Sequence, residues 1–185
     1  MNIPVVIIPL AESFEEIEAV APIDILRRAG VRVIVAGLDG VSVVGTNGLT
    51  VQCDMTLAEA REIACDAVVL PGGMPGARNL AASADVIALL DATRAAGGYL
   101  AAICASPAYV LGAHGYLDGH KAVGYPGTEN QAPSVAFGTQ AVLTDGKVIT
   151  SRGAGTAIDF ALAIVTALMG SEKATQLAAS LIYRA

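Results

Sequence analysis

The sequence predicts an open α/β sheet with its functional site at the carboxyl ends of the strands. Three observations carry that prediction. Short apolar runs alternate with helical patterns along the chain. The connections are short, and no repeat, linker or low-complexity stretch interrupts them, so one domain over residues 1–185 is expected. Hydrophobic residues make up 54% of the chain and mean hydropathy is +0.60, which suits a parallel sheet covered on both faces, with an apolar subunit interface besides.

The elements follow in order. Ile3 to Leu10 reads as the first strand, and Glu15 to Ala29 as a helix stopped by Gly30. Val31 to Gly37 is the next strand. Two short β pieces, Val41 to Val44 and Leu49 to Cys53, flank the turn Thr46-Asn47-Gly48. Ala67 to Leu70 is a strand running into Pro71-Gly72-Gly73, and Ala84 to Ala96 a helix closed by Gly97-Gly98. Tyr99 to Ile103 is a buried strand. β character returns around Lys121 to Val123 and Gln140 to Ser151, and the helices Thr156 to Met169 and Glu172 to Ile182 close the chain.

Composition excludes several classes. The net charge of −6, with pI near 4.8 and no Lys/Arg cluster, argues against a nucleic-acid surface. Ile3 to Leu10 is too short for a signal sequence and lacks a basic lead-in, while Ala161 to Met169 is too short to span a bilayer. Cys53, Cys65 and Cys104 form no disulfide framework, so a cytoplasmic location is expected. No metal site is expected either: no C-x-x-C occurs, and His114 and His120 do not sit at ligand spacing to the cysteines. Those histidines flank a Gly-Tyr-Leu-Asp-Gly turn expected to face solvent, and no Ser-His-Asp triad is readable.

The most informative stretch is Tyr99-Leu-Ala-Ala-Ile-Cys104-Ala-Ser-Pro107-Ala-Tyr-Val-Leu. Small residues two positions before and after the cysteine, Ala102 and Ser106, fit a nucleophile elbow carrying sulfur in place of hydroxyl. Following N–H groups and a helix N-terminus are expected to hold the sulfur as thiolate. A free cysteine among alanine and isoleucine can also be inert core; the elbow pattern and Pro107 in the first helical turn favour the reactive reading. Cys53 and Cys65 lack such context and read as packing.

Three further segments qualify as partners. Glu15, Glu16 and Glu18 open the first helix, where acids complement the dipole, and Glu15 and Glu16 are expected to do only that, facing water. Glu18 borders the apolar stripe through Ala21, Pro22 and Ile25. Pro22 withholds an N–H from the Glu18 carbonyl, and a kink is expected there. A partly buried Glu18 would have its pKa raised and could serve as acid or base near neutrality. Gly72-Gly73, straight after a strand, is either an ordinary turn or a source of N–H groups for an anion; beside the elbow, the Gly73 and Ala105 amides would make an oxyanion hole. Ser151-Arg152-Gly153-Ala154-Gly155-Thr156 is either an anion contact or a helix-leading loop capped by Thr156.

Taken together, Glu15-Glu16-Ile17-Glu18, Val68-Val69-Leu70-Pro71-Gly72-Gly73, Ala101-Ala102-Ile103-Cys104-Ala105 and Thr150-Ser151-Arg152-Gly153-Ala154-Gly155-Thr156-Ala157 resemble the ThiJ/PfpI superfamily, nearest its YajL-like branch. The resemblance implies a flavodoxin-like three-layer α/β/α sandwich, a homodimer, and neither cofactor nor metal. By motif position it implies that Cys104 is the oxidisable nucleophile, Glu18 the acid bonded to it, and Gly73 and Ala105 the oxyanion-hole amides. It implies glyoxalase activity on methylglyoxal or glyoxal without glutathione, deglycation of proteins or nucleotides, or a redox-sensor or chaperone role. Lys121-Ala122-Val123-Gly124-Tyr125-Pro126 places Tyr125 where many members carry histidine. Tyrosine can position a substrate oxygen but is a poor base at neutral pH, so Glu18 is expected to transfer protons alone and turnover to be slow.

Two functions follow from these readings: a Cys104-dependent enzyme acting on α-oxoaldehydes or glycated protein, and an oxidative-stress sensor working through Cys104 sulfinate. Peptidase activity of the PfpI kind lacks a visible histidine base.

Overall fold

The computed structural model describes residues 3–183. β1 (Val5–Leu10) leads into α1 (Glu16–Ala29), which ends at Gly30 with φ 91°, the Gly30 and Val31 N–H groups donating to the Arg27 and Leu26 carbonyls. That left-handed cap is the stop read from the sequence. β2 (Arg32–Gly37) follows, then the hairpin β3 (Ser42–Val44) and β4 (Thr50–Gln52), turning at residues 45–49 as predicted. Next come β5 (Met55–Thr56), α2 (Leu57–Ala60), β6 (Ala67–Leu70), α3 (Gly76–Ala82), α4 (Ala84–Ala95) and β7 (Tyr99–Ile103). After β7 the chain forms a π-helical segment, Pro107–Gly112. The short strands β8 (Ala122–Val123) and β9 (Phe137–Gly138) precede the hairpin β10 (Val142–Asp145) and β11 (Val148–Ser151). α5 (Ala157–Met169) and α6 (Ser171–Ser180) finish the described chain.

Among the described residues, seven strands make the main sheet in the order β10-β11-β7-β6-β1-β2-β5, parallel throughout except β10. Among its long parallel strands the order is second, first, third, fourth, fifth, the flavodoxin-like arrangement. Alternation along each strand divides the core into two layers. Val6, Ile8, Val69, Ala101 and Ile103 pack under α1, α5 and α6. Ile7, Val68, Leu70, Leu100 and Ala102 pack against α2, α3, α4 and the π-helical segment. Both faces are therefore covered, as unbroken apolar strands require. Strand order reverses between β1 and β6, so the crevice of the fold opens where α1 leaves β1 and the glycine loop leaves β6.

Several expectations are corrected. α2 and α3 carry no apolar period long enough to read, being four and seven residues long. In the Gly115–Gly119 turn, His114 and Asp118 are exposed, but Tyr116 and Leu117 are core residues at 4% and 1% exposure. Thr156 precedes α5 without a capping bond; its hydroxyl is engaged instead by the Ser151 hydroxyl and the Gly153 carbonyl. Among the described residues, no helix is long and apolar enough to cross a membrane.

Candidate active site

Cys104 stands one residue beyond β7 with φ 65°, a left-handed conformation that costs a non-glycine residue about 1–3 kcal/mol and needs support on every side. That support is present. Its N–H donates to the Ser151 carbonyl at 3.0 Å and its carbonyl accepts from the Tyr125 N–H at 2.7 Å. Ala102 and Ser106 are fully buried, so larger side chains would have no space. The Ser106 hydroxyl donates to the Pro71 carbonyl at 2.5 Å, stitching the elbow to the glycine loop after β6. The residue is half-buried.

Glu18 reaches the same point from the first turn of α1. Its residue is 1% exposed, and its Oε2 accepts from the Gly72 N–H at 2.9 Å. The Cys104 thiol and the Ala154 amide lie near the same carboxyl and favour its charge. Glu15 caps the helix by accepting from the Glu18 N–H at 2.8 Å, and donates its own N–H to the Gly72 carbonyl at 2.9 Å. The first helical turn and the glycine loop are thus bonded reciprocally. Gly72 must be bare for this closeness: a Cβ there would lie 2.6 Å from both the Cys104 Cβ and Glu18 Oε2. The backbone amides of Gly73, at φ 92°, and Ala105 favour a charge on the sulfur.

Burial is the main force on the pair's ionisation, and it pushes Glu18 up to about 7. The neighbouring Glu15 charge adds to this, and the bonds from Cys104, Gly72 and Ala154 oppose it. Burial also pushes the Cys104 thiol up, to about 12 beside an ionised Glu18, while the Gly73 and Ala105 amides pull it down. This corrects the expectation of a thiolate held by a helix N-terminus. The following helix is a six-residue π segment, and burial first, then the nearby Glu18 charge, weigh against a thiolate: two negative charges in one pocket are costly.

The remaining residues sort cleanly. Tyr125 is 53% exposed; a Cβ on Gly153 would lie 3.5 Å from its ring and 3.9 Å from Glu18 Oε1. His114 engages the Ala81 carbonyl at 3.0 Å, and His120 faces Asp145 at 3.7 Å. Cys53 is buried, and Cys65 sits 3.2 Å from the Thr93 hydroxyl. Among the described residues, no group of three or more His, Cys, Asp and Glu is placed to hold a metal. Glu16 departs from expectation: it is buried at 8% exposure and accepts from the Asn47 backbone N–H at 2.5 Å and its side-chain amide at 2.9 Å. Sequence reasoning also misses the Gly72 and Ala154 amides that hold the Glu18 carboxyl, because only the fold brings those segments together.

The family model for the DJ-1/PfpI family matches residues 5–167. The Parkinson disease protein 7 homolog of Danio rerio is 42% identical over 180 residues, 95% of each chain. Protein DJ-1 homolog B of Arabidopsis thaliana is 41% identical over 94% of this chain, which spans only 40% of that relative's length. The glutathione-independent glyoxalase DJR-1.2 of Caenorhabditis elegans is 34% identical over 90% of this chain and 89% of its own. The oxidized structure of Toxoplasma gondii DJ-1 superposes with TM-score 0.94 at 42% identity, covering 97% of this chain and 98% of that one. With a family model spanning most of the sequence, four motifs meeting at one sheet edge and the Danio rerio relative matched almost end to end, this chain belongs to the DJ-1/PfpI family.

Proposed function

We propose that this protein is a cofactor-independent, cysteine-dependent enzyme that converts α-oxoaldehydes such as methylglyoxal to hydroxy acids. The single observation supporting this most is the meeting of the buried Glu18 carboxyl and the Cys104 sulfur over bare Gly72, where a Cβ would lie 2.6 Å from Glu18 Oε2 and 3.0 Å from the Cys104 Sγ. The Caenorhabditis elegans relative named as a glutathione-independent glyoxalase supports the same chemistry. Glu18 takes the thiol proton as the sulfur adds to the aldehyde carbon, forming the C–S bond of a hemithioacetal. The Gly73 and Ala105 amides stabilise the resulting oxyanion, which recovers the proton. Glu18 then removes the hydrogen from that carbon and returns a proton to the neighbouring one, while the hydroxyl proton of the first carbon passes to the oxygen of the second, leaving a 2-hydroxy thioester. Water cleaves the thioester, releasing the hydroxy acid and restoring the thiol. Glycated protein would enter by the same first addition.

The test is product analysis. Wild type incubated with methylglyoxal and no added thiol yields lactate, and Cys104→Ser yields none. Equal lactate from both ends this reading.

A second reading is favoured by the same contact. A protonated Glu18 donates a hydrogen bond to an oxidised sulfur, so Cys104 sulfinate would serve as a stress signal or a chaperone switch. The three free cysteines suit a reducing cytoplasm, where we place the protein. Exposed Ile17 and Val20 on α1, with Leu49 beside them, form an apolar groove suited to a homodimer contact.

A further inference from the structure

We propose that Asn47, in the turn between β3 and β4, is a positioning residue for the Glu18–Cys104 pair and acts through Glu16. The pair is gripped from the site side by the Gly72 loop. On the opposite side of the same helical turn, the hairpin supplies a second grip. Asn47 donates both its backbone N–H, at 2.5 Å, and its side-chain amide, at 2.9 Å, to the two oxygens of Glu16. Glu16 is the first residue of α1 and Glu18 the third. Whatever fixes the one fixes the azimuth and height of the other.

The packing around this contact is as tight as at the sulfur. A Cβ on Gly45 would lie 2.5 Å from Glu16 Oε1 and 2.6 Å from its Cδ, so the turn is bare where the Glu16 side chain crosses it. Backbone bonds hold the hairpin in place against the preceding loop: Ser13 N–H to the Val44 carbonyl and Thr46 N–H to the Phe14 carbonyl, both at 2.8 Å. Those bonds reach only the loop before α1. The Glu16–Asn47 contact carries the hairpin's grip into the helix itself. A buried carboxylate is costly without its donors, so deprived of the Asn47 amide, Glu16 moves toward solvent and turns the first helical turn with it. The pair then loses the registry that sets Glu18 against the sulfur. This holds whether or not an α-oxoaldehyde is the substrate, because it concerns the sulfur's setting alone.

The experiment reads the sulfur directly. The rate of Cys104 alkylation by iodoacetamide at pH 8 is measured by mass spectrometry in wild type, Asn47→Ala, Glu18→Gln and the double variant, with thermal melts alongside. Asn47→Ala changes the rate by at least about threefold in the direction that Glu18→Gln does, and adds nothing in the Glu18→Gln background. A purely structural role would lower the melting temperature without that loss of additivity. Should Asn47→Ala not fold, Glu16→Gln, which keeps shape and one acceptor, carries the same cycle. An unchanged rate overturns the proposal, as does an equal effect in both backgrounds.

Discussion

Glu18 and Cys104 meet over the bare α-carbon of Gly72, where any side chain would lie 2.6 Å from atoms of both, so only the missing side chain of that glycine lets them meet. Glu18 comes from the helix after β1, Cys104 from the bend after β7, and Gly72 from the loop after β6. The site is therefore a product of strand order as much as of residue type.

Gly72→Ala tests that closeness. The added methyl would sit 2.6 Å from atoms of both partners, and neither backbone has freedom to withdraw. Turnover of methylglyoxal falls by at least ~100-fold, as expected when reacting groups shift by about an ångström. The fold loses about 1–3 kcal/mol through overpacking, read from thermal or urea melts.

Stability against pH tests the burial of Glu18. Its ordinary value of 4.5 rises to about 7 in the folded chain. Between those values the folded state holds the proton more tightly than the unfolded state. The resulting stabilisation is fully present below about pH 4.5 and is lost as pH rises through about 7. Glu18→Gln has no such proton. Its melting temperature therefore gains on wild type as pH is raised across that window. A constant difference would place the carboxyl in water.

Much of this site is legible in the sequence, and the exceptions share a cause. The elbow is read from Ala102, Cys104 and Ser106 because a tight bend imposes its demand locally. Glu18 is read from its place beside the apolar stripe of α1. Glu16 is misread because its partner, Asn47, lies 31 residues downstream, and helical spacing alone gives no hint of it. The thiolate expectation misses two tertiary influences for a related reason: the helix dipole is inferred from local pattern, while burial and the Glu18 charge, which push the thiol up, are tertiary. α3 goes unread because Pro75 and Gly76 announce a loop and only Ala77 and Leu80 pack inward after Gly76.

Tyr125 offers a gain-of-function test. Its ring is exposed and stands beside Gly153 at the mouth of the site. Tyr125→His introduces a base titrating near neutrality, and kcat for methylglyoxal rises by about tenfold, below the full contribution of a well-aligned general base. Tyr125→Phe, which loses only the hydroxyl, stays within about threefold of wild type.

Mild peroxide separates the three cysteines. Cys53 is buried and pushed up to about 11 by burial and Asp54. Cys65 is pushed up chiefly by burial. Only Cys104 has an acid to take its proton and two amides to receive the charge. Peptide mass spectrometry shows two added oxygens on Cys104 with Cys53 and Cys65 intact. Even oxidation across all three removes the sensor reading.

The central claim is that one proton, shared between a carboxyl and a sulfur, governs this site. Following Cys104 alkylation from pH 5 to 10 in wild type and Glu18→Gln tests it most directly. The wild-type rate shows a step near the Glu18 value of about 7, and that step is absent from the variant. Superimposable profiles would mean that the two groups ionise independently, and would contradict the account.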